Sequence, residues 1–84
     1  MDQYTLKQIL TRIERYVNTR EGYTFLGGEV EGNFLLIRVR YVRQQPNDDQ
    51  LSARANIVHC GIAEITEGCG LSMCLCIEYY RPLY

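Results

Sequence analysis

The chain lacks the segments that mark secreted and membrane-spanning proteins, and it has no excess of positive charge. Residues 1–20 form an amphipathic mixture without the apolar core of a signal peptide, and no stretch approaches the roughly 18 apolar residues of a membrane span. Nine basic residues against ten acidic ones give a net charge of −1, which disfavours avid sequence-independent binding to DNA. We therefore predict a cytoplasmic protein, not bound to a membrane, whose thiols stay reduced.

Groups that carry catalysis are also scarce. The single histidine, His59, has no serine or cysteine nucleophile within obvious reach. The Gly27–Gly28 pair leads into no helix and so does not form a phosphate loop. Asp48 and Asp49 are adjacent carboxylates without the further ligands of a calcium site. The sequence therefore predicts a protein that is not an enzyme and has no cofactor.

The N-terminal segment is predicted to form a helix. A chain of 84 residues predicts a single domain, 1–84, and an apolar fraction of 46% is that of an ordinary globular protein. Between Leu6 and Val17 apolar residues recur at spacings of three and four, which predicts an amphipathic helix over about 3–18. The segment "NTREG" ends this helix, because Gly22 can adopt the positive φ that helix ends favour.

From residue 23 the hydrophobic period changes to two, which indicates strands. Strands are predicted at about 23–30, 34–43, 54–65 and 72–80, with a mobile loop at about 44–52. The turns "EGN" and "TEGCG" join them into two hairpins. Gly27–Gly28 inside the first strand predicts a bulge or a close approach by another backbone. The expected fold is α+β, with the helix packed on one face of a four-stranded antiparallel sheet made of two hairpins (α-β-β-β-β).

The four cysteines pose the question of a metal site, since three of them lie in "CGLSMCLCIEYY". Cys74 and Cys76 point to the same face of the last strand, because neighbouring residues alternate. Pairing Ile65 with Ser72 keeps the large aliphatic side chains on one face, whereas a slip by one residue adds Cys60 to the other two thiols as zinc ligands. The first register is favoured, so we predict buried free cysteines and no metal; a zinc-binding module is a weaker alternative.

The same register places His59 opposite Glu78. We interpret the two as a cross-strand polar pair rather than as an oriented general base. Cys69 lies between two glycines at the predicted turn, where we expect it to be exposed. No cation is near it in the sequence to favour its thiolate, so no reactive role is expected.

The remaining signal is an excess of arginine and tyrosine on predicted surface. Lys7 is the only lysine, so the other eight of the nine basic residues are arginine. Arginine and tyrosine are the side chains that most often contribute binding energy at interfaces. The predicted partner-binding residues lie on the solvent-facing side of the second strand and near the end of the chain: Arg38, Arg40, Arg43, Tyr79, Tyr80 and Arg81.

We therefore predict a small non-enzymatic interaction protein, an inhibitor, adaptor or regulator, that binds a surface of a larger protein. Chains this small are common in phages and plasmids, which makes such an origin a hypothesis. The alternative is binding of single-stranded nucleic acid on an Arg/Tyr sheet face, where bases stack on aromatic rings. One helix covers only one face of a sheet, so we also expect apolar surface to remain for a homodimer.

Overall fold

The computed structural model describes residues 3–42 and 51–80. Within these ranges the element order is α1 (Gln3–Asn18), β1 (Tyr23–Glu31), β2 (Phe34–Val42), α2 (Leu51–Thr66) and β3 (Ser72–Tyr80). β2 is the central strand, and it pairs antiparallel with β1 and parallel with β3. The α+β class predicted from the sequence is confirmed, but the prediction of four antiparallel strands is wrong.

The N-terminal helix is present, and its buried side is the predicted apolar stripe. α1 buries Ile9, Ile13 and Val17, which are spaced by four residues and so lie on one side of the helix. The link to β1 contains Gly22 with a φ of 83°, a left-handed conformation in which a side chain is strained. The spacing of the apolar residues was therefore sufficient to predict this helix from the sequence.

Two glycines shape β1 where it passes α1. The register between β1 and β2 shifts between Phe25 and Gly27, which confirms the predicted bulge. A Cβ at Gly28 would lie 2.5 Å from the side chain of Leu10 on α1. Gly28 thus allows a close approach, although the close neighbour is a leucine side chain rather than another backbone.

The prediction of a strand at 54–65 is wrong, because these residues belong to α2. Val58 and Ile62 are four residues apart, as one face of a helix requires, but Cys60 between them makes the same stretch alternate as a strand does. In the helix Val58 and Ile62 are buried and Cys60 is exposed. Val58 and Ile62 lie on the same face in a helix and also in a strand, so the residues alone fit either structure.

The presence of α2 also changes the connections of the sheet. Parallel neighbours need a long crossover, and α2 forms part of the crossover between β2 and β3. The predicted second hairpin does not form, so His59 on α2 has no cross-strand position opposite Glu78 on β3. The predicted loop at 44–52 lies mostly outside the described residues, and its last two positions belong to α2.

Both helices cover the same face of the sheet. Four alternate side chains of β2 are buried beneath them: Leu35, Ile37, Val39 and Tyr41. The helices add their own buried residues to the same cluster: Ile9, Ile13, Val17, Val58 and Ile62. The result is two layers, helices on sheet, with no helix of the described chain on the opposite sheet face.

A tyrosine of α1 holds α2 in place. The Tyr16 hydroxyl donates a hydrogen bond to the carbonyl of Ile57 on α2 (3.1 Å) and accepts one from Arg20 (3.2 Å). The Arg20 guanidinium also lies over the Tyr16 ring, 4.9 Å from its centre. The ring lies directly against Gly61, where any Cβ would overlap it. Gly61 therefore permits the contact between the helices, which offsets the low helix propensity of glycine.

We expect Gly61→Ala to destabilise the protein, although alanine in a helix interior usually gains about 1 kcal/mol over glycine. The added methyl group would displace the Tyr16 ring and disturb its hydrogen bond to Ile57. The expected loss in the free energy of unfolding is about 1–3 kcal/mol. Urea denaturation of the purified variant measures this loss.

The Tyr16→Leu background is the control for this experiment. There the methyl group meets no ring, so Gly61→Ala should show the ordinary gain of alanine in a helix. The two changes should therefore be coupled by about 2 kcal/mol or more in a double-mutant cycle. Equal effects of Gly61→Ala in both backgrounds would contradict the role assigned to the Tyr16 contact.

Candidate functional site

The sheet face opposite the helices carries side chains from all three strands, and we call it the open face. Its members alternate along the strands with the buried residues, because successive side chains of a strand point to opposite sides. The open face comprises Thr24, Glu29, Glu31, Phe34, Leu36, Arg38, Arg40, Val42, Ser72, Cys74, Cys76, Glu78 and Tyr80. Both arginines lie toward the Val42 end of β2, which we call the charged end. Phe34 and Leu36 lie toward the other end, the apolar end, where Glu29 and Glu31 of β1 lie beside them.

At the charged end, side chains of β3 orient the two arginines of β2. Arg38 Nη2 lies 3.4 Å from Glu78 Oε1, and the Tyr80 hydroxyl donates to Glu78 Oε2 at 3.4 Å. The Arg40 guanidinium lies over the Tyr80 ring, 4.9 Å from its centre. The Arg38 side chain is 58% exposed, so the ion pair orients the group more than it stabilises the fold.

At the apolar end, Phe34 and Leu36 lie close to Cys74. Phe34 is 53% exposed, Leu36 is half-buried and Cys74 is exposed. Together with Glu31 and Gly32 they border a shallow depression at the β1–β2 turn. An exposed aromatic ring on an uncovered sheet face is a suitable anchor for a binding partner.

The structure brings only part of the predicted partner-binding set together. The open face holds three members: Arg38, Arg40 and Tyr80. Tyr79 lies on the other side of β3, 54% exposed, with its ring edge-on to Tyr41 at 6.2 Å between centres. Two members lie outside the described residues: Arg43 and Arg81.

Phe34 and Glu78 belong to the open face but were not among the predicted partner-binding residues. Phe34 could have been predicted from the sequence, because it is an even number of residues from Arg38 and Arg40 and therefore lies on the same side of β2. The contact of Glu78 with Arg38 depends on which strand pairs with β2. That pairing links residues 40 positions apart and has no local signal.

A second candidate surface is the groove between α2 and the outer side of β3. Its lining residues are Ala53, Ala55, Asn56, His59, Leu75, Ile77 and Tyr79. The α2 wall consists of small and polar side chains, whereas the β3 wall is apolar and only partly covered. Among the described strands, β3 pairs with β2 alone, so this groove follows an open edge of the sheet.

Three of the four cysteines are more exposed than predicted from the sequence. Cys60 is exposed on α2, and Cys74 and Cys76 are exposed on the open face, so their predicted burial is wrong. The cause is that no described helix covers the side of β3 to which Cys74 and Cys76 point. Cys69 was predicted to be exposed, but it is half-buried, and its Sγ accepts a hydrogen bond from the Leu71 amide (3.4 Å).

The arrangement of the cysteines also bears on the metal question. Cys60 is on a helix, so the slipped hairpin that would gather it with Cys74 and Cys76 does not exist. In the part of the chain that the structure describes, no cluster of three or more histidine, cysteine, aspartate or glutamate side chains could hold a metal ion.

Neither a protein-family model, nor a curated protein, nor a solved structure matches this chain. Within residues 3–42 and 51–80, no helix is both long and apolar enough to cross a membrane.

Thiol labelling should divide the cysteines into two classes. In the folded, reduced protein, Cys60, Cys74 and Cys76 should react with a maleimide nearly as fast as in denaturant, and Cys69 should react more slowly because it is half-buried. Mass spectrometry of the peptides after short reaction times measures each rate. Strong protection of both Cys74 and Cys76 would show that something covers the open face, contrary to this structure.

Proposed function

We propose that the protein is a small non-enzymatic interaction protein that binds a surface of a larger protein through the open face. The observation that supports this most is that one uncovered sheet face combines an exposed aromatic ring, Phe34, with two oriented arginines, Arg38 and Arg40. Aromatic and arginine side chains carry a large share of the binding energy at protein interfaces.

The open face suggests which chemistry the partner presents. Among the described residues, no carboxylate forms an ion pair with Arg40, so its guanidinium can bind a carboxylate of the partner. Phe34 lies six residues away on β2, which is about 20 Å along a strand, and offers apolar area with Leu36. A partner surface with an acidic side chain and, about 20 Å away, an apolar pocket would bind Arg40 and Phe34 at the same time.

The contacts within the open face favour binding by reducing its entropic cost. Long side chains lose rotamer freedom at an interface, at about 0.5–1.5 kcal/mol for each immobilised group. Arg38 is already held by Glu78 and Arg40 by the Tyr80 ring. The arginines of this face are therefore partly ordered before a partner arrives.

Binding of single-stranded nucleic acid is the alternative that the contact between Arg40 and Tyr80 favours. An aromatic ring beside arginines on an uncovered sheet face resembles the way sheet-based RNA-binding modules stack bases. The three glutamates of the open face outnumber its two arginines, however, and they repel phosphate. A protein partner is for this reason our preferred proposal.

We propose the cytoplasm as the place of action. All four cysteines are free, as expected where thiols stay reduced. Metal analysis of protein purified without chelator tests the weaker alternative of a zinc module, and one equivalent of zinc per chain would support that alternative.

Affinity purification from the native host should recover a protein partner in stoichiometric amount. The double variant Arg40→Glu, Phe34→Ser removes both proposed anchors and should weaken binding at least about tenfold, since each anchor is expected to contribute more than about 1 kcal/mol. The matched control is Arg12→Glu, Tyr4→Ser, which changes an exposed arginine and an exposed aromatic ring of α1 instead. Circular dichroism should show that both variants fold.

Two results would contradict the proposal. Equal loss of partner with both double variants would show that the open face is not the binding surface. Recovery of no partner, together with oligonucleotide binding that falls steeply with salt and is lost in Arg38→Glu, Arg40→Glu, would favour the nucleic-acid alternative.

A further inference from the structure

The two edges of the sheet differ in their protection against pairing with another strand. β1 contains the bulge between Phe25 and Gly27 and carries Glu29 and Glu31 beyond it. Bulges and charged side chains are devices that discourage pairing at a sheet edge. β3 has nine residues in unbroken register with β2 and contains neither lysine nor proline. It is the edge that another strand can join.

We propose that β3 pairs antiparallel with β3 of a second copy of this chain, so that the two sheets join into one. Two identical edges meet antiparallel when the two-fold axis is normal to the sheet. Such an axis keeps the two sides of the sheet distinct, so the helices of both copies lie on one side and both open faces on the other. The proposal is thus independent of the proposed function, because the open faces stay uncovered.

Full overlap of the strands places this axis at Cys76, the middle residue of β3. Leu75 then lies opposite Ile77 of the second copy, and Met73 lies opposite Tyr79 of the second copy. All four side chains point toward the helix side of the sheet, so apolar groups meet apolar groups. Cross-strand pairs of this kind each contribute roughly 0.2–1 kcal/mol.

Charge is compatible with the same register. Glu78 is the one carboxylate of β3, and the strand has no basic residue. Its carboxylate is paired with Arg38 of its own chain on the open face. In the full-overlap register Glu78 lies opposite Cys74 of the second copy, and the two glutamates are about 13 Å apart along the strands. No like charges face each other across the junction.

The groove between α2 and β3 supplies apolar area for the interface. A nine-residue edge is about 30 Å long and by itself buries little surface, whereas stable interfaces bury about 800 Å² on each side. Along this edge Tyr79 is exposed, and Leu75 and Ile77 are only half-buried. The second β3 would cover these side chains, and the second α2 would lie across the groove from the first.

Sedimentation equilibrium at tens of micromolar should give twice the chain mass of 9.8 kDa. Tyr79→Lys places a charge at the proposed junction and should shift the protein to the monomer. The control is Phe34→Lys, which changes an equally exposed aromatic ring on β2 and should leave the dimer intact. A wild-type protein that sediments as a monomer, or two variants with the same effect, would overturn the proposal.

Disulfide trapping tests the register and does not depend on the folding of Tyr79→Lys. A variant that keeps only Cys76, with the other cysteines replaced by serine, should form a cross-linked dimer when two thiols reduce one oxidised glutathione. Opposed residues of antiparallel strands have Cα atoms about 4.5–5.5 Å apart, which suits a disulfide. A variant that keeps only Cys74 should cross-link much more slowly, because Glu78 lies opposite it. Equal rates, or faster cross-linking through Cys74, would contradict this register.

Two variants distinguish the proposed dimer from the proposed binding of a host partner. Arg40→Glu, Phe34→Ser should lose the host partner yet remain dimeric, since neither residue is on β3. Tyr79→Lys should become monomeric yet retain the anchors of the open face. Loss of the dimer in the open-face variant would show that self-association uses the open face instead of the β3 edge.

Discussion

The parallel pairing of β2 with β3 is the constraint on which the rest of this structure depends. Parallel neighbours cannot be joined by a tight turn, so the chain must cross one side of the sheet before β3 begins. α2 lies in that crossover and packs beside α1, where the Tyr16 ring lies against Gly61. Because both helices use the same side, the other side of the sheet has no helix within the described residues.

The two candidate surfaces follow from this arrangement. The open face exists because the crossover and the N-terminal helix share one layer, which leaves Phe34 and Arg40 exposed on the other. The β3 edge exists because the chain adds its last described strand beside β2 and no described strand follows on the outer side. β3 contributes to both surfaces, since its side chains alternate between the open face and the groove beside α2.

The two surfaces also differ in the kind of partner that each can bind. The open face is charged and oriented by contacts such as Arg38 with Glu78, which favours recognition of a specific partner. The groove beside β3 is apolar on one wall and lies next to unpaired backbone of the strand edge, which favours another strand. The proposed partner binding and the proposed self-association therefore use opposite sides of β3.

The sequence by itself determined the elements whose hydrophobic period is unambiguous. The four-residue spacing of Ile9, Ile13 and Val17 predicts α1, and a hydrophobic period near two predicts β2 and β3 as strands. Between 54 and 65 the pattern is ambiguous, because Val58 and Ile62 fit a helix and a strand equally well. Tertiary contacts decided that this segment is a helix. The Tyr16 ring of α1 packs against Gly61, and the parallel pairing of β2 with β3 requires a crossover between these strands. The exposure of Cys76, the partner of Glu78 and the open edge of β3 all depend on these long-range contacts, which local periodicity does not encode.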